Sequence, residues 1–320
     1  MDTKTEKQQK IVISLISPFY NEQESIKQFF SEVIPTLEST NEKFEIICVN
    51  DGSEDNTLNT LLEFQEQDKR IRIIDLSRNF GKEAALSAAI DIAQGDAVIP
   101  IDADLQDPPD IIPQLIQKWH QGYEVVLAKR SDRSSDSWLK RSTATFFYRF
   151  YKNIAETSIP ENVGDFRLMS RQAVDAIKQL PEKRRFMKGL FAWVGFKTTT
   201  VEYVRKPRIS GKSKFNGWQL WNFALEGITS FSTAPLRIWT YLGFLISIFS
   251  FMYGIFIITR TLFSGIDVPG YASLLTVVLF IGGIQLVGLG IIGEYIGRIY
   301  YETKCRPVYI VRKIYQNEEY

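Results

Sequence analysis

Two long stretches without a charged residue in the C-terminal third constrain the structure of this chain most. The first runs from Ile238 to Thr259 and the second from Val268 to Gly293. Each is long enough for a helix to cross the hydrocarbon core of a bilayer, which takes roughly 20 residues. The pattern predicts two transmembrane helices within residues 235–300, and two buried helices of a soluble core are the alternative.

Basic residues lie on one side of this pair of predicted spans. The connection between the spans offers Arg260 against Asp267, whereas many basic residues precede the first span and follow the second. Because cytoplasmic loops carry the excess of Lys and Arg, we expect both termini in the cytoplasm, with an N-terminal domain of residues 1–230 and a tail of residues 301–320. The flanking basic residues are Arg205, Lys206, Arg208, Lys212, Lys214 and Arg237, then Arg298, Lys304, Arg306, Arg312 and Lys313.

The second predicted span also carries a face of small residues. Glycines let helix backbones approach closely, so this face could pack against the first span or against another copy in a homo-oligomer. The sequence leaves both arrangements open. The glycines are Gly282, Gly283, Gly288, Gly290, Gly293 and Gly297.

The composition narrows the classes of ligand. The chain has 38 Lys and Arg residues against 37 Asp and Glu, and this balance argues against a nucleic-acid partner. It has one histidine and two cysteines, too few for a typical zinc site. Any metal site must therefore use carboxylates, which favours Mg²⁺ or Mn²⁺.

Residues 11 to 130 alternate between apolar, β-rich runs and helical patterns. This alternation predicts βαβ units and an α/β domain with a mostly parallel sheet flanked by helices. No Gly-x-Gly-x-x-Gly follows the first run and no P-loop motif occurs, which argues against a dehydrogenase and an NTPase. The predicted strands are Ile11–Ser17, Phe44–Asn50, Ile71–Ser77, Ala97–Ile101 and Glu124–Ala128, and the helices are Glu24–Leu37, Thr57–Asp68, Lys82–Gln94 and Pro109–Gln121.

Polar clusters follow four of the five predicted strands. Ligands of such sheets bind at the carboxyl ends of the strands, so we expect these clusters to share one edge. They are Pro18–Glu22, Asp51–Asp55, Asp102–Asp107 and Lys129–Arg133.

Two further segments, about 138–152 and 215–232, combine aromatic and basic residues. Such amphipathic helices suit the bilayer interface, although the first could also be an ordinary core helix. A lipid phosphate at the membrane surface would lie within reach of Lys140 and Arg141.

Asp102 and Asp104 stand directly after the apolar run from Val98 to Ile101. Two carboxylates one residue apart at a strand end can share a hard cation whose other ligands are diphosphate oxygens and water. The cation would neutralise a departing diphosphate as a Lewis acid. The pair therefore predicts a metal–diphosphate site.

Several motifs resemble those of family 2 glycosyltransferases of the GT-A fold, a Rossmann-like α/β fold. The resemblance runs from about residue 11 to the C-terminus. It is closest to the polyprenyl-phosphate sugar synthase branch, especially the bacterial undecaprenyl-phosphate (bactoprenol) glucosyltransferases, which are related to dolichol-phosphate mannose synthase. The motifs are Pro18–Glu22, Asn50–Ser53, Asn79–Lys82, Asp102–Pro109, Gly164–Leu168 and Arg208 with Gly211–Phe215.

The resemblance implies roles for single residues. Pro18, Tyr20, Glu22, Val49 and Asp51 would bind the donor nucleotide, and Asp102 and Ala103 would line its diphosphate. The metal would be held by Asp104, Asp102 and Gln106, and the phosphates by Arg130, Arg208, Ser213 and Lys214, with Lys140 and Arg141 near the acceptor.

Asp165, in a predicted turn, would act with Asp104 and Arg130 in catalysis. Asp165 would be either a general base or a residue that orients the acceptor. The family often has an aspartate where this chain has Asn50, but the expected contact falls on Asp51.

The implied activity is inverting, metal-dependent transfer of a hexose, glucose from UDP-glucose, to undecaprenyl or another polyprenyl phosphate. The product would serve cell-envelope glycoconjugates through a downstream flippase and glycosyltransferase. The implied location is the bacterial inner membrane, with the catalytic domain in the cytoplasm and membrane lipids as neighbours. Donors such as GDP-mannose, UDP-GlcNAc or a UDP-aminoarabinose derivative remain alternatives.

Two other readings are weaker. A processive polysaccharide synthase would need more spans and a Gln-x-x-Arg-Trp motif, which this sequence lacks. A non-catalytic lipid carrier or scaffold would have no use for the intact Asp-x-Asp pair.

Overall fold

The computed structural model describes residues 10–131, 163–183, 187–204, 233–264 and 270–316. Both amphipathic segments expected at the bilayer interface lie outside these ranges. So do five of the predicted site residues, Lys140, Arg141, Arg208, Ser213 and Lys214.

One mixed sheet of eight strands organises the described part of the N-terminal domain. Its strand order is β7-β5-β6-β4-β1-β2-β3-β8. The pairs β1–β2, β1–β4, β2–β3 and β5–β7 are parallel, and β4–β6, β5–β6 and β3–β8 are antiparallel. The strands are β1 Ile13–Phe19, β2 Phe44–Asn50, β3 Ile71–Leu76, β4 Ala97–Pro100, β5 Val125–Arg130, β6 Val163–Ser170, β7 Thr198–Tyr203 and β8 Val311–Tyr315.

Helices cover both faces of the sheet. Phe29, Leu61 and Leu115 pack on one face, and Ala85 and Val174 on the other, all almost fully buried. Each large apolar side chain buried in this way contributes about 1.5–3 kcal/mol relative to exposure. The helices are α1 Ile26–Glu38, α2 Thr57–Gln67, α3 Lys82–Ile92, α4 Ile112–His120 after a short 3-10 turn at Pro109–Ile111, α5 Arg171–Lys178 and α6 Met187–Trp193.

The predicted α/β class and mostly parallel sheet are confirmed. The first five strands and the first four helices lie within about two residues of their expected positions, or three for α4, which begins after the 3-10 turn. In β2 every residue is buried, because helices cover both faces of this central strand.

We expected Asp165 to lie in a turn, but it lies within strand β6. Phe166 and Leu168 are buried on one side of this strand, and β6 pairs antiparallel with both β4 and β5. A break in the β5–β6 register falls between Leu127 and Lys129. Pairing on both edges holds the backbone of β6 extended, which a short polar motif such as Gly-Asp does not reveal.

Residues 311–315 of the predicted tail form strand β8 at the edge of the sheet. Ile74 pairs with Ile314 and Asp75 with Lys313 in an antiparallel register. The chain therefore returns from its apolar helices to the domain that precedes them. Without β8, strand β3 would be an edge strand with unpaired N–H and C=O groups, and pairing with β8 satisfies them.

The two apolar stretches form the helices α7 (Ala234–Ser264) and α8 (Tyr271–Thr303). Their segments Ile238–Phe256 and Phe280–Thr303 are long and apolar enough to cross a membrane. Large apolar side chains such as Phe244, Phe251 and Leu286 are exposed. Core helices of a soluble protein would bury such residues, so their exposure favours the membrane interpretation.

Candidate active site

The loops after β1 and β2 hold each other at the carboxyl edge of the sheet. The N–H of Asn21 donates to Ser53 Oγ at 3.1 Å, and the N–H of Glu54 donates to Asn21 Oδ1 at 2.9 Å. The N–H of Glu22 donates to Thr57 Oγ1 at 3.0 Å. The structure thus brings together the two loops that contain Tyr20, Glu22 and Asp51, with Tyr20 exposed at the rim, while Pro18 and Val49 lie near the ends of β1 and β2.

Asp51 fixes the loop between β3 and α3. Its carboxylate accepts the N–H groups of Phe80 at 2.7 Å and Gly81 at 2.9 Å, and the residue is buried. Burial raises the pKa of Asp51 above its ordinary value, although these two N–H groups and Arg78 act in the opposite direction.

Gly52 has a backbone conformation with φ +64°, and the Cβ of any other residue would lie 2.3 Å from the carbonyl carbon of Arg78. A side chain at this position would therefore force the β2 loop and the β3 loop apart.

The turn after β4 presents the Asp-x-Asp pair. The N–H of Gln106 donates to Asp104 Oδ1 at 3.2 Å, while Ala103 and Gln106 are buried. Leu105 has φ 49°, a left-handed conformation that branched and bulky residues rarely adopt. Such local strain is commonly found at functional sites.

Lys82 joins the Asp-x-Asp turn to strand β6. Its Nζ lies 2.7 Å from Asp102 Oδ1 and 2.7 Å from Asp165 Oδ2. Burial alone would lower the pKa of Lys82, but the charges of Asp165 and Asp102 outweigh it and raise the pKa. Burial raises the pKa of Asp102, and the charge of Lys82 counteracts this. One ammonium group thus holds two predicted catalytic or metal-binding carboxylates.

Arg130 lies in a cluster that we did not foresee. The hydroxyl of Tyr203 donates to Asp107 Oδ1, and Arg130 Nε donates to the Tyr203 hydroxyl at 3.2 Å. A guanidinium nitrogen of Arg130 also lies 3.7 Å from Asp107 Oδ1. Burial, together with the charge of Asp107, raises the pKa of Tyr203. Asp107 belonged to a recognised motif, but no sequence signal marked Tyr203.

Arg167 supports the backbone that carries Asp165. It donates to the carbonyls of Gly164 at 2.6 Å and Asp165 at 3.3 Å, and its guanidinium lies over the ring of Phe191. Burial lowers the pKa of Arg167 to about 10, against the opposing charges of Asp165 and Glu83. Arg167 also belonged to a recognised motif, but its role was not predicted.

The carboxylates at the β4 turn suit a metal that the donor helps to bind. In the part of the chain that the structure describes, no group of three or more His, Cys, Asp or Glu side chains could hold a metal by itself. Asp102 and Asp104 offer hard oxygen ligands from one turn, and both are partly exposed. Mg²⁺ commonly binds through one or two carboxylates and completes its shell with phosphate and water. The residues present fit this arrangement.

Two protein families match different parts of the chain. Residues 14–178, which begin within β1 and end with α5, match glycosyl transferase family 2. Residues 234–299, which contain α7 and most of α8, match the GtrB C-terminal hairpin.

Similar proteins are found among bacteria and their phages. A bactoprenol glucosyl transferase of Shigella phage SfV is 55% identical over 300 residues, 94% of this chain and 98% of the relative. A prophage bactoprenol glucosyl transferase homolog of Escherichia coli (strain K12) is 54% identical over 302 residues, 94% of this chain and 99% of the relative.

Among solved structures, a mannosyltransferase from Pyrobaculum calidifontis in complex with GDP-Man and Mn²⁺ is 18% identical, with a TM-score of 0.46 over 68% of this chain and 61% of that one. Given the family match and the two relatives, the chain belongs to glycosyl transferase family 2 and is a glycosyltransferase.

Proposed function

We propose that this enzyme transfers glucose from UDP-glucose to undecaprenyl phosphate, with inversion at the sugar, at the cytoplasmic face of the inner membrane. The names of the relatives that match nearly the whole chain support the sugar and the acceptor. The membrane-length helices α7 and α8 support a lipid acceptor, because an enzyme with two soluble substrates has no need of them.

One observation carries this proposal: Asp102 and Asp165 meet on the ammonium group of Lys82. The two carboxylates come from distant parts of the sequence, one in the turn after β4 and one in β6. Their meeting forms a charged centre at the carboxyl edge of the sheet, beside the β1 and β2 loops. The groups expected to bind the donor diphosphate and the acceptor phosphate can therefore act at one site.

The donor nucleotide would bind along the β1 and β2 loops, with contacts from Pro18, Tyr20, Glu22, Val49 and Asp51. An ionised carboxylate has about four acceptor positions, so Asp51 can hold Phe80 and Gly81 and still accept an N–H from uracil. Glu22 can accept a ribose hydroxyl.

Asp102, Asp104 and Gln106 would hold Mg²⁺ or Mn²⁺, with Ala103 beside the diphosphate. Such a cation supplies Lewis-acid stabilisation of the charge on the leaving group. Arg130, Arg208, Ser213 and Lys214 would add charge-assisted hydrogen bonds to phosphate oxygens.

The acceptor phosphate would supply the attacking oxygen. This oxygen forms the new bond to the anomeric carbon from the face opposite the leaving group, and UDP departs with the electron pair of the broken bond. A phosphate monoester has a second pKa of about 6, so it is largely ionised at neutral pH and needs no strong base. Asp165 is paired with Lys82, which supports the role of orienting the acceptor. Lys140 and Arg141 would attract the phosphate at the membrane surface.

A donor screen tests this function. The full-length protein in lipid nanodiscs would receive labelled UDP-glucose, GDP-mannose or UDP-GlcNAc with undecaprenyl phosphate and Mg²⁺ or Mn²⁺. We expect label in the lipid fraction with UDP-glucose, release of UDP, and loss of transfer with excess chelator. Transfer only to water-soluble acceptors would contradict the lipid acceptor, and full turnover in chelator would contradict the metal.

A further inference from the structure

The chain that follows the apolar helices returns to the sheet and pairs with strand β3. Helix α8 ends at Thr303, and β8 pairs with β3 from Val311 onward. The hydroxyl of Tyr309 donates to Asp91 at 2.6 Å, and the carboxylate of Glu302 accepts the N–H of Lys183. These contacts connect the end of α8 and the start of β8 to the catalytic domain at several points.

Arg312 of β8 reaches a buried carboxylate. Its guanidinium lies 3.3 Å from Asp75 Oδ2 and donates to the carbonyl of Ser77 at 2.7 Å. The Asp75 side chain is only 2% exposed, whereas that of Arg312 is 59% exposed. A buried carboxylate is costly without a cation and hydrogen bonds, so this contact matters more than a surface ion pair would.

The other carboxylate oxygen of Asp75 is linked through hydrogen bonds to the loop after β2. Asn50 Nδ2 donates to Asp75 Oδ1 at 2.7 Å, and Asn50 Oδ1 accepts the N–H of Ser53 at 3.3 Å. The amide of Asn50 suits this position, since it donates to a carboxylate that a second buried carboxylate would repel. The chain of contacts runs from Arg312 through Asp75 and Asn50 to the loop that also contains Asp51.

We propose that Arg312 is a positioning residue for the donor nucleotide, through which the strand after the membrane hairpin stabilises the β2 loop. This inference rests on the proposed function, because it takes that loop as the nucleotide site. Without Arg312, Asp75 loses its cation and turns towards water. Asn50 then loses its acceptor, and the loop from Asn50 to Ser53 becomes less ordered. The reacting groups at Asp104 and Asp165 lie on other elements and keep their geometry.

Three substitutions in the full-length protein in nanodiscs test the role of the guanidinium. They are Arg312→Ala, Arg312→Lys and the matched control Lys313→Ala. Lys313 stands opposite Asp75 in the strand register, but its ammonium lies over the ring of Tyr315. The measurements are UDP affinity by calorimetry, KM and kcat with UDP-glucose, and KM for the lipid acceptor.

For Arg312→Ala we expect UDP affinity to fall and KM for UDP-glucose to rise, each by about fivefold or more, as for the loss of one charged hydrogen bond. The kcat and the acceptor KM should stay within about twofold of the unchanged protein, a difference below about 0.5 kcal/mol. Arg312→Lys should restore much of the affinity, and Lys313→Ala should bind UDP normally. Equal UDP affinity for Arg312→Ala and Lys313→Ala would overturn the proposal.

A double substitution distinguishes positioning from general destabilisation. Asp75→Asn removes the buried charge but keeps an oxygen that accepts from Asn50. Combined with Arg312→Ala, it should recover most of the UDP affinity, and thermal unfolding should report whether each variant folds. A double variant no better than Arg312→Ala would contradict the chain of contacts. If the unchanged protein bound no UDP, the proposed function would fail instead, and that result is visible before any variant is made.

Discussion

The loop after β2 and the turn after β4 both present carboxylates at the same edge of the sheet, but they hold them differently. In the β2 loop the backbone holds the side chain, since Asp51 accepts two N–H groups from the neighbouring loop. In the β4 turn, by contrast, a lysine side chain holds Asp102, whose carboxylate is paired with the ammonium of Lys82.

The difference distinguishes a rigid loop, whose carboxylate is fixed by backbone groups, from a charged turn, whose ion pair can be replaced. Backbone N–H groups cannot leave Asp51 unless the loop between β3 and α3 rearranges. A lysine ammonium sits on a flexible four-carbon stem and can move when a competing cation arrives. We therefore infer that the β2 loop supplies shape to the donor site, whereas the β4 turn supplies charge that is exchanged during binding. Each of the following predictions tests one side of this comparison.

The largest expected effect is on the β4 turn. Asp104→Asn should lower glucose transfer by about a thousandfold or more, because it removes a charged ligand at the point where leaving-group charge develops. Thermal unfolding should change little, since the hydrogen bond that Asp104 accepts lies within its own turn. The assay is transfer from UDP-glucose to undecaprenyl phosphate in nanodiscs.

Asp110→Asn is the matched control for Asp104→Asn. Asp110 is an exposed acidic residue in the 3-10 turn shortly after the Asp-x-Asp pair. It should retain full activity. Activity in Asp104→Asn comparable to that of this control would show that the β4 turn is not the charged centre.

A substitution in the β2 loop should lower the stability of the folded protein as well as its activity. Asp51→Asn places an amide N–H against the N–H of Phe80 or Gly81, and a buried donor left unsatisfied costs about 1–3 kcal/mol. We expect a lower thermal unfolding midpoint for the catalytic domain and weaker UDP binding. Glu54→Gln, at an exposed position in the same loop, should leave both unchanged. An unaltered midpoint in Asp51→Asn would show that the Asp51 carboxylate does not stabilise the β2 loop, and the proposed difference between the loop and the β4 turn would be wrong.

Lys82 offers a direct test of exchange at the β4 turn. Lys82→Met leaves Asp102 and Asp165 without their shared cation, so Mn²⁺ should bind about tenfold more tightly in the absence of nucleotide, equivalent to about 1.4 kcal/mol. Calorimetry or the electron paramagnetic resonance signal of Mn²⁺ measures this affinity.

Lys27→Met, on the exposed side of α1, controls for the loss of one positive charge. It should leave Mn²⁺ binding unchanged. Equal or weaker binding in Lys82→Met than in Lys27→Met would mean that Lys82 does not compete with the metal.

Local patterns in the sequence were enough to predict several of the elements in the fold and one part of the candidate site. The strands β1 to β4 and the Asp-x-Asp pair were predicted because apolar β-branched runs and the polar residues that follow them are short-range signals. The two membrane-length helices followed from the absence of charge over a long stretch.

The contacts that distinguish the two loops were not predictable in the same way. Lys82 stood at the end of a recognised motif, but its meeting with Asp102 and Asp165 depends on how α3 packs across β1 and β2, with Lys82 as its first residue. Strand β8 pairs with β3 across most of the length of the chain, and such pairing leaves no local signal. Tyr203 became a partner of Asp107 only because β7 lies beside β5.

The smallest expected effect compares two carboxylates of the β2 loop itself. Burial raises the pKa of Asp51 above its ordinary value of 3.8. For Asp55, burial acts in the same direction but is outweighed by hydrogen bonds from Thr57 and Gln23, which lower the pKa. The folded protein thus binds a proton at Asp51 more tightly than the unfolded chain does, and at Asp55 less tightly.

The two groups must therefore affect stability with opposite signs as the pH changes. For Asp51, the stability contribution falls as pH rises from the ordinary pKa through the raised one. For Asp55, the contribution is present above the ordinary pKa and is lost as pH falls through the lowered one. The thermal midpoint of the unchanged protein minus that of Asp51→Asn should decrease as the pH rises above about 4, and the corresponding difference for Asp55→Asn should increase as the pH rises towards about 4. Slopes of the same sign for both variants would mean that burial does not dominate at Asp51, and that its two backbone contacts make it an ordinary ionised carboxylate.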